Sequence, residues 1–421
     1  MPKKNRKIIP SVSKIVPQAA EAIKKIKVRI VGIGGGAGNI VSEIAAKIKG
    51  SSFVAANTDK QALKTADKKS IIFQFGESFT HGLGAGMNPE IGQVAAEAEK
   101  ERIKKILQGQ DLVILVATLG GGTGSGATPV FAKISRGLGN LTFGIFTLPF
   151  NFEGEKKLEI ANSALEKLKS KVNAFAVVPN ERVFQVVDKN TPLVKAFSSV
   201  NKILAKSLEG LVETVFEPGL INIDFADLRT ILSGQGRLAY LNTVEIAKSA
   251  SSAKETLDRV LNSPLYPYNV KGAKAVLLNI AGEKELGLAE VNQISETISR
   301  LVNKEAKIIF GISQGKKYQG LIKTTLLAVG CAWPKSPREP RKKIKKIKEK
   351  PPIILKPKKK LKPKSKLRPR PNVFQPSLVE VRKNALQIKE EVQEEEAKML
   401  EKESLWEAPA FLKKNKGPFT I

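Results

Sequence analysis

The chain has 421 residues, 42% of them hydrophobic, and carries 71 Lys and Arg against 40 Asp and Glu for a formal net charge of +31. That length has room for two domains with their own cores. A single histidine, His81, argues against a His-based triad or zinc site, and a single cysteine, Cys331, excludes an internal disulfide and suits a reducing cytosol. No apolar stretch is long enough to span a membrane, and the basic N-terminus lacks the continuous apolar core of a signal peptide. The charge is uneven: residues 1–27 carry +7, residues 335–371 carry +16 and the last fifty carry −1, so residues 28–334 carry only +9.

Residues 1–25 are Lys-rich, contain Pro10 and Pro17, and read as a flexible basic arm with a short helix near Gln18–Lys25. Residues 26–190 alternate strands with amphipathic helices. Val28–Ile33 is a strand, Gly34–Asn39 a glycine loop, and Ile40, Val41, Ile44, Ala45 and Ile48 give the apolar face of a helix. Phe53–Ala56 is a strand that ends in Asn57-Thr58-Asp59. Alone, this unit also fits a dinucleotide fingerprint, Gly32-x-Gly34-x-x-Ala37 with Asp59 as the acid, and so allows an NAD-binding oxidoreductase. That match is weak, and it predicts no second phosphate loop. Ser70–Phe75 is the next strand, Gly82–Pro89 a third glycine loop, and Glu90 to Leu107 a helix.

The most informative stretch follows. The run Leu112–Val116 reads as a strand buried on both faces. After Gly120–Gly126, Val130, Phe131 and Ile134 recur at helical spacing, with Pro129 in the first turn, where its missing N–H costs nothing. Five glycines, Thr123 and Ser125 therefore lie at a strand-to-helix junction. A helix N-terminus there offers free N–H groups to an anion, glycines admit close approach, and the hydroxyls add donors. A glycine-rich turn can also be only a turn. No Gly-Lys-Ser/Thr follows, so this is not the lysine P-loop. Leu141–Leu148, a helix over Glu155–Lys169 and Phe175–Val178 complete a parallel sheet with helices on both faces, whose ligands belong beyond the carboxyl ends of its strands.

Residues 191–217 form a long central helix opened by Thr191-Pro192, with Leu193, Phe197, Val200, Leu204, Leu208, Leu211 and Val215 on one face. Residues 218–333 form a smaller C-terminal α/β domain with strands at Ala275–Ile280, Lys307–Ile312 and Thr324–Val329 and helices at Ala253–Leu261 and Leu288–Val302. At its start, Asp224 and Asp227 share one face of a helical turn, and spacing alone favours helix capping over chemistry. Residues 334–376 are a basic Pro/Lys-rich linker too poor in apolar residues to fold; 377–404 turn acidic and helix-prone; 405–421 hold an aromatic-apolar cluster that reads as a docking peptide.

The motifs V-G-I-G-G-G-A-G-N, N-T-D-x-Q-A-L, G-L-G-A-G-x-N-P-E, G-G-G-T-G-S-G, N-F-E-G, V-P-N-E-R, D-K-N-T-P and N-I-D-F-A-D-L-R follow one another in order, and W-E-x-P-A-F-L-K-K closes the chain. Together they resemble the tubulin/FtsZ family of GTPases, in particular its bacterial division-ring members. The resemblance implies an N-terminal doubly wound parallel-sheet GTPase domain, a long central helix and a smaller C-terminal domain. It implies GTP or GDP with Mg²⁺ as ligands and head-to-tail polymerisation of the chain with itself. Gly35, Gly36, Ala37, Gly38 and Asn39 would face the nucleotide, and Gly122, Thr123 and Gly124 would hold the phosphates. Glu153 would contact the ribose, Asn180 and Asn201 would read the guanine edge, and Phe197 would pack on the base. Lys157 stands where the family commonly has arginine, keeping the charge but losing the bidentate fork. Asn222, Asp224 and Asp227 would enter the next subunit's site, where the two carboxylates polarise the attacking water. Trp406, Pro409, Phe411 and Leu412 would dock to membrane-tethered, FtsA-like division proteins at midcell, in the cytoplasm beneath the membrane. The cationic linker departs from the family pattern; it allows a plain spacer, anionic-lipid attraction or nonspecific nucleic-acid contact. A GTP-binding filament scaffold with little hydrolysis, serving cell shape or DNA segregation, is the alternative.

Overall fold

The computed structural model describes residues 26–249, 251–283 and 286–333. The N-terminal arm with its expected Gln18–Lys25 helix, the basic linker, the acidic segment and the terminal docking peptide lie outside the described residues. The chain runs through β1 (Val28–Ile33), α1 (Gly35–Ala45), β2 (Ser51–Asn57), α2 (Lys60–Leu63), β3 (Ser70–Gln74), α3 (Glu77–Thr80), α4 (Pro89–Ala98) and α5 (Lys100–Leu107). Then come β4 (Leu112–Thr118), α6 (Gly122–Gly137), β5 (Leu141–Leu148), α7 (Glu155–Lys169) and β6 (Ala174–Pro179). These six strands are parallel, in the order β3-β2-β1-β4-β5-β6. From Leu112 to Ala117, β4 is buried throughout, as its unbroken apolar run requires of a strand covered on both faces.

The second half opens with α8 (Leu193–Phe216), 24 residues long, with Pro192 at its N-cap and Leu204, Leu208 and Leu211 buried. It continues through α9 (Phe225–Leu232), β7 (Arg237–Ala247), α10 (Ser252–Leu261), β8 (Ala275–Gly282), α11 (Leu288–Leu301), β9 (Lys307–Gln314) and β10 (Leu321–Val329). Here the order is β7-β10-β8-β9, with β10 antiparallel to both β7 and β8, and β8 parallel to β9. Only two residue pairs, Ala174–Arg237 and Phe175–Leu238, join β6 to β7 and so make one ten-stranded sheet. Tyr268 reinforces that joint: its hydroxyl accepts from the Val177 N–H at 3.0 Å and donates to the Ala239 carbonyl at 2.9 Å.

Three features differ from the sequence reading. The strand β7 was not anticipated. The helix expected over Glu90–Leu107 breaks at Glu99, whose φ of −104° and ψ of 21° separate α4 from α5. Pro129 lies inside α6 and not in its first turn, because Gly122–Gly126 itself winds the opening of the helix. The Thr128 hydroxyl donates to the Gly124 carbonyl one turn back, close to the place where proline removes a backbone donor.

Candidate nucleotide site

At the carboxyl ends of β1 and β4 the chain turns directly into α1 and α6, whose N-caps are Gly34 and Gly121. Neither cap has a side chain to satisfy the first-turn N–H groups, so those of α1, and on α6 those of Thr123 and Gly124, are left for a ligand. The two turns abut: a Cβ on Gly34 would sit 3.2 Å from the Gly124 nitrogen. Gly34 itself holds φ at 90°, a conformation that glycine adopts without strain. The third glycine loop closes the rim, the Gly122 N–H donating to the Gly86 carbonyl at 2.7 Å. Together they border an open cleft of about 400 Å³.

The glycines serve packing as well as approach. A Cβ on Gly122 would press on the Ala85, Gly86 and Asn88 carbonyls, and one on Gly126 would overlap the Pro89 carbonyl. The two hydroxyls of the turn also have partners within the fold. Ser125 Oγ accepts the Gly120 N–H at 2.8 Å, and Thr123 Oγ1 lies 2.7 Å from Thr58 Oγ1 in a buried pair. Both hydroxyls thus hold the loop's shape, and Ser125, which only accepts in this bond, keeps its own O–H as a donor beside the backbone N–H groups.

The charged side chains bordering the cleft have partners within the fold. Glu153 accepts the Phe150 N–H at 2.9 Å through one oxygen and pairs with Lys157 Nζ at 3.0 Å through the other. Asp59 Oδ1 caps α2, accepting from the N–H groups of Gln61 and Ala62 at 2.8 and 3.1 Å. Among the described residues no three metal-ligating side chains cluster. The carboxylates that border the cleft, Asp59 and Glu153, offer oxygen ligands of the kind a hard cation such as Mg²⁺ takes.

Of the residues singled out from sequence, Gly35, Gly36, Gly122, Thr123, Gly124, Glu153, Lys157 and Asn180 all border this cleft. Gly38 and Asn39 continue α1 beyond them, Asn39 exposed. Ala37 is fully buried with its side chain in the core, so only its backbone can face a ligand; its φ is not positive, and alanine there is unstrained. Phe197 and Asn201 stand a turn apart on α8. The Phe197 ring lies 5.8 Å from that of Phe150, which packs against Phe152. Asn201 donates to Glu43 of α1 at 2.9 Å.

Asn222, Asp224 and Asp227 do not border the cleft. Asp224 caps α9, accepting the Asp227 N–H at 2.8 Å, and Asp227 returns the bond from the Asp224 N–H at 3.1 Å. Farther along α9, Arg229 and Ser233 border a hollow with Leu141 and Asn173, where β5 and β6 begin. The helix thus lies toward the amino-terminal edge of the parallel strands, opposite the cleft. The sequence reading named no site residue in Gly82–Pro89, yet Leu83, Gly84, Ala85 and Gly86 line the cleft. The signal was present, since that glycine run also follows a strand of the parallel sheet.

Two uncapped helix N-termini meeting at the carboxyl edge of a doubly wound parallel sheet, without a P-loop lysine, define a nucleotide-binding α/β protein. Residues 27–188 match the Tubulin/FtsZ family GTPase domain, and residues 239–332 match the FtsZ family C-terminal domain. The chain belongs to the tubulin/FtsZ family, with the guanine-nucleotide binding its GTPase domain implies. The structure of an FtsZ dimer from M. jannaschii is 37% identical over 73% of this chain and 88% of that one, with a TM-score of 0.65. A point mutant of M. jannaschii FtsZ gives 36% identity, 73% and 92% coverage and a TM-score of 0.66. CetZ2 from Haloferax volcanii, a GTPγS-bound protofilament, shares the fold at 20% identity, with 73% and 95% coverage and a TM-score of 0.63. The dinucleotide-enzyme alternative is set aside by the family match.

Proposed function

We propose that this chain is a GTPase that polymerises head-to-tail into cytokinetic filaments and hydrolyses GTP between subunits. The observation that supports this reading is that Asp224 and Asp227 do not border the cleft. The cleft opens at the carboxyl edge of the parallel sheet, while the pair starts a helix whose far end borders the residues where β5 and β6 begin. A contact that presents one edge to the other repeats without closing and makes a filament. Similarity to a protein described as a dimer supports self-association. In the joined site the N–H groups of α1 and α6 hold the phosphates. Asn180 and Asn201 read the guanine edge, Phe197 packs on the base, and Glu153 meets the ribose. Asp224 and Asp227 of the next subunit polarise the water that attacks the γ-phosphorus, with Asn222 beside them. Mg²⁺, when bound, supplies neutralising charge at the phosphate oxygens.

The test is GTP turnover per subunit, measured with light scattering as protein concentration rises. We expect turnover to vanish below a threshold that coincides with scattering. Full turnover at high dilution would mean a self-sufficient site and refute the shared one. The reciprocal cap between Asp224 and Asp227 explains both residues without chemistry, and so favours a second reading, a filament scaffold with little hydrolysis serving cell shape or DNA segregation. Scattering without turnover is its signature. The proposal extends to the termini: Trp406, Pro409, Phe411 and Leu412 dock to membrane-tethered, FtsA-like partners at midcell in the cytoplasm, and the basic linker adds weak contact with anionic lipid or nucleic acid.

A further inference from the structure

We infer that Glu43 sets the nucleobase specificity of the site by fixing the amide of Asn201. Glu43 lies on α1 two turns beyond the cleft, facing α8. Its carboxylate receives two hydrogen bonds from α8: the Ser198 hydroxyl donates to Oε1 at 2.6 Å and Asn201 Nδ2 donates to Oε2 at 2.9 Å. An ionised carboxylate only accepts hydrogen bonds. Asn201 must therefore turn its NH₂ toward Glu43, and its Oδ1 then points the other way. No donor among the described residues reaches that oxygen. Asn201 is 9% exposed, so the amide is held in packed surroundings and is not a freely turning surface group.

The consequence is chemical. A free asparagine can present a donor or an acceptor by flipping its amide, and so discriminates poorly between bases. With Glu43 in place, Asn201 presents only an acceptor. Guanine offers donors on its N1–H and 2-amino group. Xanthine keeps the N1–H but carries a carbonyl acceptor in place of the 2-amino group, and adenine has an acceptor at N1. A locked Oδ1 selects guanine from these three, and Ser198 holds the carboxylate in register. Glu43 touches no substrate in this arrangement and is a positioning residue. The inference rests on the proposal that Asn201 faces the base.

The experiment is equilibrium binding of GTP and of xanthosine triphosphate below the assembly threshold, on the full chain and three variants. Glu43→Gln keeps the shape but accepts or donates, which frees the amide. It is expected to weaken GTP and strengthen xanthosine triphosphate, narrowing the preference by roughly tenfold or more. Asn201→Ala should weaken GTP with no gain for xanthosine triphosphate. The double variant Glu43→Gln/Asn201→Asp should recover the preference, because an aspartate is an acceptor in either orientation. An unchanged ratio in Glu43→Gln, or equal weakening of both ligands, would overturn the positioning role. Unchanged GTP binding in Asn201→Ala would instead overturn the base-facing reading itself. Should Glu43→Gln lower the thermal midpoint enough to confuse binding, Ser198→Ala loosens the same carboxylate. It should shift the ratio in the same direction by a smaller factor, and no shift would count against the inference.

Discussion

Asp227 shows how one side chain can be claimed by two roles. Its carboxylate accepts the Asp224 N–H, so Asp227→Ala removes a cap worth about 1 kcal/mol as well as any catalytic charge. Asp227→Asn keeps an acceptor and loses only the charge. We expect both variants to bind GTP normally and to lose turnover by roughly a hundredfold or more, with the thermal midpoint lowered only in the alanine variant. Near-normal turnover in Asp227→Asn would return the residue to capping alone. Lys157 gives a second test in a nucleotide-binding assay. Its ammonium is a single point of contact beside Glu153, whereas arginine would reach a phosphate or ribose oxygen with a fork and still pair with the acid. Lys157→Arg should tighten GTP binding by roughly threefold to tenfold. Unchanged or weaker binding would show that the side chain is spent entirely on Glu153.

Among the elements, α6 depends on a tight seam with α4, and α8 on charge. Gly126 has no room for a Cβ beneath the Pro89 carbonyl, and the Gln93 nitrogen lies 2.7 Å from where that atom would be. Gly126→Ala should destabilise by about 2–3 kcal/mol in urea unfolding. A smaller loss would mean that α4 slides freely. Along α8, Lys323 is buried with its Nζ 2.7 Å from Glu213 and 3.4 Å from Glu245, Lys206 pairs with Glu245 at 2.9 Å, and Lys317 bridges Glu213 and Glu217. Glu209 lies in the same field. Burial pushes its carboxyl up, Lys323 and Lys317 pull it down, and Glu213 and Glu245 push it up again, for a net rise above 4.5. A carboxyl whose pKa rises on folding costs stability wherever it is ionised, and the cost disappears below its unfolded pKa, where both states are protonated. Glu209→Gln should therefore raise the thermal midpoint at pH 7, with the gain fading as the pH falls towards 4.5 and absent below it. A lower midpoint at pH 7 would mean that attraction to Lys323 outweighs burial. These elements also mark how far the sequence could be read. The apolar run Leu112–Val116 and the glycine turn after it are local and were legible. So were Glu155–Lys169 and the start of α8, where periodicity and a proline agree. The strand β7 was not, because Arg237–Ala247 buries Asn242 and Thr243 and shows no apolar alternation. Asn242 reaches the Arg259 and Val260 carbonyls, and Thr243 reaches Thr325, partners that exist only after folding. The break at Glu99 has no glycine or proline to mark it, and Pro129 misleads because the glycine run before it winds as helix.

Across the whole molecule, the site was legible where one strand-to-turn-to-helix unit supplies it, and not where distant segments meet. The cleft residues from three glycine runs share an edge because parallel strands deliver every turn to the same side. The partnership of Glu43 with Asn201, 158 positions apart, leaves no local trace in the sequence. The joint between the two halves is another such feature. Two strand pairings, the Tyr268 hydroxyl, the bond from Arg182 Nε to the Pro264 carbonyl at 2.7 Å and that from the Gly236 N–H to the Val172 carbonyl at 2.9 Å cross the join, above a hydrophobic core that is continuous through both halves. Mechanically, such a body behaves as one plate with a rib: α8 packs on α1 of the first half and on β7 and β10 of the second, so rotating one half against the other would have to open the shared core.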